Sequence, residues 1–71
     1  MRDARDGIAY ELRQRGFKQA AIAKMVGLTE QQLSDIINKR RKLDANEMFL
    51  LCEAMRIDDP KILFIAAQDS A

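Results

Sequence analysis

Apolar residues recur along this chain at the three- and four-residue spacing of a helix face, and the runs are short and well punctuated. Ala4, Ile8 and Leu12 repeat at i+4 with Ala9 beside them, which predicts a first helix over 3–15. Arg13 and Arg15 fall in its last turn, where cations suit the helix dipole, and Gly16 follows as a C-terminal stop. Gly7 sits inside this helix and, judged locally, weakens it by roughly 1 kcal/mol against alanine. Ile22, Ala23 and Val26 define the buried face of a second helix over 19–26, ended by Gly27. Its N-cap position falls on Lys18, which offers no side-chain acceptor to the orphan amides. Thr29 and Gln32 form the T-x-x-Q of a capping box and open a third helix. There Leu33, Ile36 and Ile37 point inward, Glu30, Gln31, Gln32, Ser34 and Asp35 outward, and Asn38 is the expected left-handed exit. Asp44 and Glu47 repeat the cap pattern before Met48, Leu51, Cys52 and Met55, with Phe49 and Leu50 widening the apolar face. Asp59 as cap and Pro60 in the first helical position start a fifth helix over 60–67, and residues 68–71 are expected to fray.

The composition strengthens the helical reading. Ala, Leu, Arg, Lys, Gln, Met and Glu make up more than half of the 71 residues, whereas Ile, Val and Thr together number nine, thin for a sheet protein. The expectation is all-α: a single compact five-helix domain over 1–71. A lone cysteine, Cys52, leaves no disulfide within the chain and reads as a small core residue. Met25, Met48 and Met55 read as core fillers. With no histidine, a zinc site is not expected; no other metal and no cofactor is expected either. No glycine-rich phosphate loop is present, and Ser34 and Ser70 have no base partner, so an enzyme is not expected. No apolar run reaches the roughly 18 residues of a membrane span, and the acids in MRDARDGIAY argue against a secretory leader. A cytoplasmic, nucleoid-associated location is the corresponding expectation.

The net charge of +1 says nothing for nucleic acid, but its distribution does. Residues 1–38 hold six basic and five acidic side chains, Lys39, Arg40, Arg41 and Lys42 add four cations in a row, and residues 43–71 hold two basic and six acidic. Such a dipolar chain points one side towards a polyanion, although a solvated basic loop would look the same.

Segments two and three carry the functional signal. Two short helices joined by Gly27-Leu28 must cross steeply, which requires a small residue at the crossing (Ala23), a positive φ at the corner (Gly27), a plug (Leu28) and anchors on the next helix (Leu33, Ile36). At this spacing the stretch FKQAAIAKMVGLTEQQLSDIINKRRKLDANEMFLLCEAMRIDDPKILF resembles the helix-turn-helix domain of phage Cro and lambda-repressor-type regulators, the XRE family. The resemblance covers roughly residues 6–65 and implies a five-helix bundle, with helices two and three as a helix-turn-helix over 19–38, that binds operator DNA as a dimer. It maps base reading onto Thr29, Glu30, Gln31, Gln32, Ser34 and Asp35. Phosphate contact maps onto Gln19 and the loop Asn38, Lys39, Arg40, Arg41 and Lys42, and Lys18 adds a positive charge beside them. The chain departs from the family pattern at Lys18 (a Ser or Thr cap elsewhere) and at Lys39 and Arg56, where glycine is common. Glu30 and Asp35 are also carboxylates on the presumed reading face.

Physical chemistry supports the same placement. A ten-residue helix spans about 15 Å and fits a major groove about 12 Å wide. Glutamine can pair bidentately with adenine, worth roughly 1–3 kcal/mol of discrimination. Gln31 and Gln32 also have a plain reading as helix formers, and Gln32 is partly committed to the capping box. The four loop cations predict a log–log salt slope of about −2 to −4 per protomer. Ile62, Leu63, Phe64 and Ile65 are consecutive apolar residues that cannot all point inward. With Leu50, the residues Ile62, Phe64 and Ile65 form the candidate dimer patch. The leading function is a small sequence-specific transcriptional regulator, a repressor of phage or mobile-element type, on a palindromic operator. The alternative is a helix-turn-helix protein-interaction module, adaptor or antitoxin-like.

Overall fold

Side-chain caps fix where the helices begin. In the computed structural model, which describes residues 3–69, the helices are α1 (Ala4–Gln14), α2 (Gln19–Met25), α3 (Glu30–Ile37), α4 (Ala45–Ala54) and α5 (Lys61–Asp69). Asp3, Thr29 and Asp44 each cap a helix in a reciprocal box whose return partners are Asp6, Gln32 and Glu47. Each box satisfies amide donors at both ends of the first turn, so the start of the helix is set locally. The Asp3–Asp6 box was not anticipated, although an acid three residues after a cap was visible in the sequence. Asp59 Oδ1 accepts from the Lys61 amide at 3.0 Å, so α5 opens just after Pro60. Lys18 makes no side-chain cap bond, as expected from its chemistry.

The ends are equally specified. Gly16 and Gly27 take φ of +70° and +77°, and the Leu28 amide returns to the Ala23 carbonyl at 2.9 Å, closing the turn between α2 and α3. The expected left-handed exit at Asn38 falls one residue later. Asn38 keeps φ −96° because its Nδ2 donates to the Ser34 carbonyl at 2.8 Å, and Lys39 takes φ +64°. Arg56, after α4, takes φ +57°. Arg15 closes the same helix end from α1: its Nη1 donates to the Met55 carbonyl at 2.9 Å while Nε holds Glu11 at 2.7 Å.

One apolar core joins the five helices. Ile8, Leu33, Ile36, Leu51, Met55 and Leu63 are fully buried, with Ile22, Ala23 and Cys52 nearly so, and no charged side chain among the described residues is buried. Each such aliphatic residue contributes roughly 1.5–3 kcal/mol. The most extensive contact is α1 on α5, and Gly7 makes it possible: a Cβ there would collide with the Leu63 backbone carbonyl. Two expectations need correction. Met25 is 65% exposed, not a core filler, because Ile22, Ala23 and Val26 centre the buried face of α2 and Met25 lies about 110° away from it. α5 runs to Asp69, two residues past the expected end at 67; 70–71 lie outside the described residues. The helices pack into a body of 26 × 25 × 23 Å, none of them long and apolar enough to cross a membrane.

Candidate nucleic-acid interface

α3 sits on the bundle as a two-sided rod. Leu33 and Ile36 are completely buried, whereas Thr29, Glu30, Gln31 and Gln32 are exposed and Ser34 and Asp35 half-exposed. Eight residues span about 12 Å, short enough to lie in a major groove. No other element covers this polar face to the extent of burying it.

Hydrogen bonds organise the face. Gln32 Oε1 accepts from the Thr29 amide at 2.9 Å, and Thr29 Oγ1 accepts from the Gln32 amide at 3.0 Å, so the Thr29 and Gln32 side chains hold the helix start. Gln31 Nε2 donates to Asp35 Oδ1 at 2.9 Å, one turn on. Asn38 Nδ2 reaches the Ser34 hydroxyl at 3.3 Å as well as its carbonyl. Glu30 is in the first turn, where an anion suits the helix N-terminus. From α2, Gln19 Nε2 donates to the Glu30 carbonyl at 3.4 Å, tying the two helix starts together, and Lys18 beside it is exposed.

The loop after α3 is basic in sequence but largely paired in space. Lys39 Nζ meets Asp6 at 3.0 Å, Arg40 meets Asp35 at 3.1 Å, and Arg41 Nη2 meets Glu47 at 2.8 Å. The Arg41 carbonyl in turn accepts from Arg5 Nη1 at 3.1 Å, and Arg5 is clamped on Asp3 at 2.7 Å. Arg41 is therefore as much a strut between α1 and α4 as a surface cation. Lys42 is exposed, with no carboxylate partner among the described residues. The network shifts its acids. The Arg5 guanidinium, bonded to Asp3, holds that carboxyl below its usual range. At Asp6 burial pushes upward, but the Asp3 amide and the Lys39 ammonium together outweigh it, and the net direction is down. Arg5 and Asp6 are not among the site residues read from the sequence; beside their local bonds to Asp3, their loop partners Arg41 and Lys39 lie more than thirty residues away, beyond any local pattern.

The helix-turn-helix family model HTH_3 matches residues 8–62, most of the chain. The chain belongs to the XRE-type helix-turn-helix family. Neither a curated protein nor a solved structure gives a significant match. The fold described above is the lambda-repressor-like one that the resemblance implied, and the XRE family is one of DNA-binding regulators. In this XRE-type chain the two non-glycine left-handed residues among those described, Lys39 and Arg56, stand where that resemblance put glycines.

The remaining apolar surface is on α4 and α5. Phe49, Leu50, Phe64 and Ile65 are 45–62% exposed, whereas Ile62 is half-buried against the core and contributes little to an outer patch. Cys52 is a core residue, and burial, with the Asp59 charge, pushes its thiol upward, away from reactivity.

Proposed function

We propose that this protein is a sequence-specific double-stranded DNA-binding regulator that inserts α3 into the major groove. In this reading it is a repressor of phage or mobile-element type that occupies a palindromic operator as a homodimer. The observation that carries the reading is the uncovered polar face of α3, held rigidly by Leu33 and Ile36 beneath it and by the Thr29–Gln32 box at its start. Gln31 and its exposed neighbours Thr29, Glu30 and Gln32 are the candidates for base edges. Lys18, Gln19, Asn38, Lys39, Arg40, Arg41 and Lys42 are the candidates for phosphates, Lys42 with the least to give up. Occlusion of a promoter needs no further domain.

Selection of bound duplexes from a random pool, followed by anisotropy titrations on the winner, tests this. Gln31→Ala is expected to relax preference at one base position, while Arg40→Ala weakens all sequences about equally. Identical behaviour of the two variants would remove the division into readers and anchors. A second reading, a protein-binding helix-turn-helix module of adaptor or antitoxin type, is favoured by one observation: three of the four loop cations already have carboxylate partners. Absence of salt-sensitive duplex binding at low and moderate salt would decide for it.

A further inference from the structure

Asp35 lies on the exposed side of α3 and, taken alone, is a poor residue for a surface that meets phosphates. Its surroundings give it another role. Its Oδ1 accepts from Gln31 Nε2 at 2.9 Å and from Arg40 Nε at 3.1 Å, and Arg40 Nη2 lies 3.1 Å from the same oxygen. Its backbone carbonyl accepts from the Arg40 amide at 2.7 Å and the Arg41 amide at 3.2 Å, which fixes the loop against the end of the helix. From these contacts, and resting on the DNA-binding reading above, we infer that Asp35 is a positioning residue that sets the base preference of Gln31, and not itself a reader of bases.

The chemistry is directional. An ionised carboxylate only accepts, so the amide nitrogen of Gln31, and not its oxygen, must face Asp35. A carboxamide otherwise turns over freely and offers either end to a base. Held in this way, Gln31 spends one N–H on Asp35 and keeps a second N–H and Oε1. That donor–acceptor pair is the set adenine requires at N7 and N6 in the major groove. Arg40 neutralises the carboxylate that would otherwise repel the backbone. Its side chain stays 60% exposed, so it can still turn towards a phosphate. One carboxylate thereby links the reader to the nearest anchor.

The test compares wild type, Asp35→Asn, Asp35→Ala, Gln31→Ala and the Asp35→Ala/Gln31→Ala pair on the selected operator and on duplexes changed at each base pair in turn. The expected result is that both Asp35 variants lose preference, on the order of tenfold, at the same base pair where Gln31→Ala loses it, and that the double variant loses no more. In the free protein, the Gln31 side-chain amide resonances should move in Asp35→Asn while the backbone amides of the core residues Ile22 and Leu51 stay in place. Loss of preference at a base pair that Gln31→Ala leaves untouched would make Asp35 a direct reader and overturn the inference. So would equal loss at every position, unchanged preference, or an unmoved Gln31 amide. A wild-type chain with no sequence preference at all would overturn the DNA-binding reading, and the specificity role with it. Preference retained in the Asp35 variants overturns only the role of Asp35.

Discussion

Glycine illustrates how far the meaning of a residue depends on what stands opposite it. Gly7 is a weak point by helix propensity, and on that ground alanine should stabilise α1. The structure reverses the sign, because α5 approaches so closely that a Cβ at position 7 would meet the Leu63 carbonyl and backbone. Backbone cannot swing aside as a flexible side chain can, so the helices must separate and open the core around Leu63. Gly7→Ala is expected to lower stability by about 2–4 kcal/mol in urea denaturation. Position 56 runs the other way. Arg56 holds φ +57° with its side chain exposed, and a left-handed residue bearing a Cβ costs roughly 1 kcal/mol. Arg56→Gly should raise the unfolding free energy by a comparable amount, read from the same urea denaturation. Neither sign is available from the neighbouring residues alone: the first needs the position of α5, the second the exact length of α4.

At the scale of elements, what was legible in the sequence is what is decided within a turn or two. The caps Thr29 and Asp44, the glycine stops at 16 and 27 and the inward pairs Leu33–Ile36 and Leu51–Cys52 are all short-range, and the structure carries them as read. The basic loop was legible as composition but not as geometry. Its partners Asp6 and Glu47 belong to other helices, and only the fold brings α1 and α4 against it. The bonds that Asp3 takes from Arg5, and that Asp6 takes from the Asp3 amide and Lys39, give α1 a pH dependence. Asp3 and Asp6 both have carboxyls depressed in the folded state, so each stabilises the fold above its unfolded value near pH 4. That contribution falls away as the pH drops through the lower folded values and the carboxyls protonate. Asp3→Asn keeps an N-cap acceptor but cannot titrate. Thermal melts followed by circular dichroism between pH 6 and 3 should therefore decline less steeply for Asp3→Asn than for wild type, with the curves converging at the acid end.

For the whole molecule, the proposed function asks a body of about 25 Å with a net charge of +1 to hold a polyanion. Charge alone gives it little grip. On the proposed DNA-binding reading, Lys39, Arg40 and Arg41 would exchange carboxylates for phosphates, so part of each new contact would be offset by one lost. That exchange places the salt slope nearer −2 than −4 per protomer. If the proposed operator is palindromic, a weakly attached protomer would gain most from a second one, because two half-sites about 34 Å apart would then be filled in a single event. The surface proposed for such pairing is apolar: Phe49, Leu50, Phe64 and Ile65 lie exposed on α4 and α5, and Phe64 shares a groove with Lys42, Leu43 and Met48 beside the basic loop. Ile65 is the residue to change, since at 62% exposed its side chain contributes little to the core. Ile65→Asp should melt within a few degrees of wild type and bind a single half-site as tightly. On a duplex carrying both half-sites, wild type should fill the two together and the variant one after the other, a difference read directly from the intermediate band in a mobility-shift titration. Cooperative filling by Ile65→Asp would place the protomer contact elsewhere on the molecule.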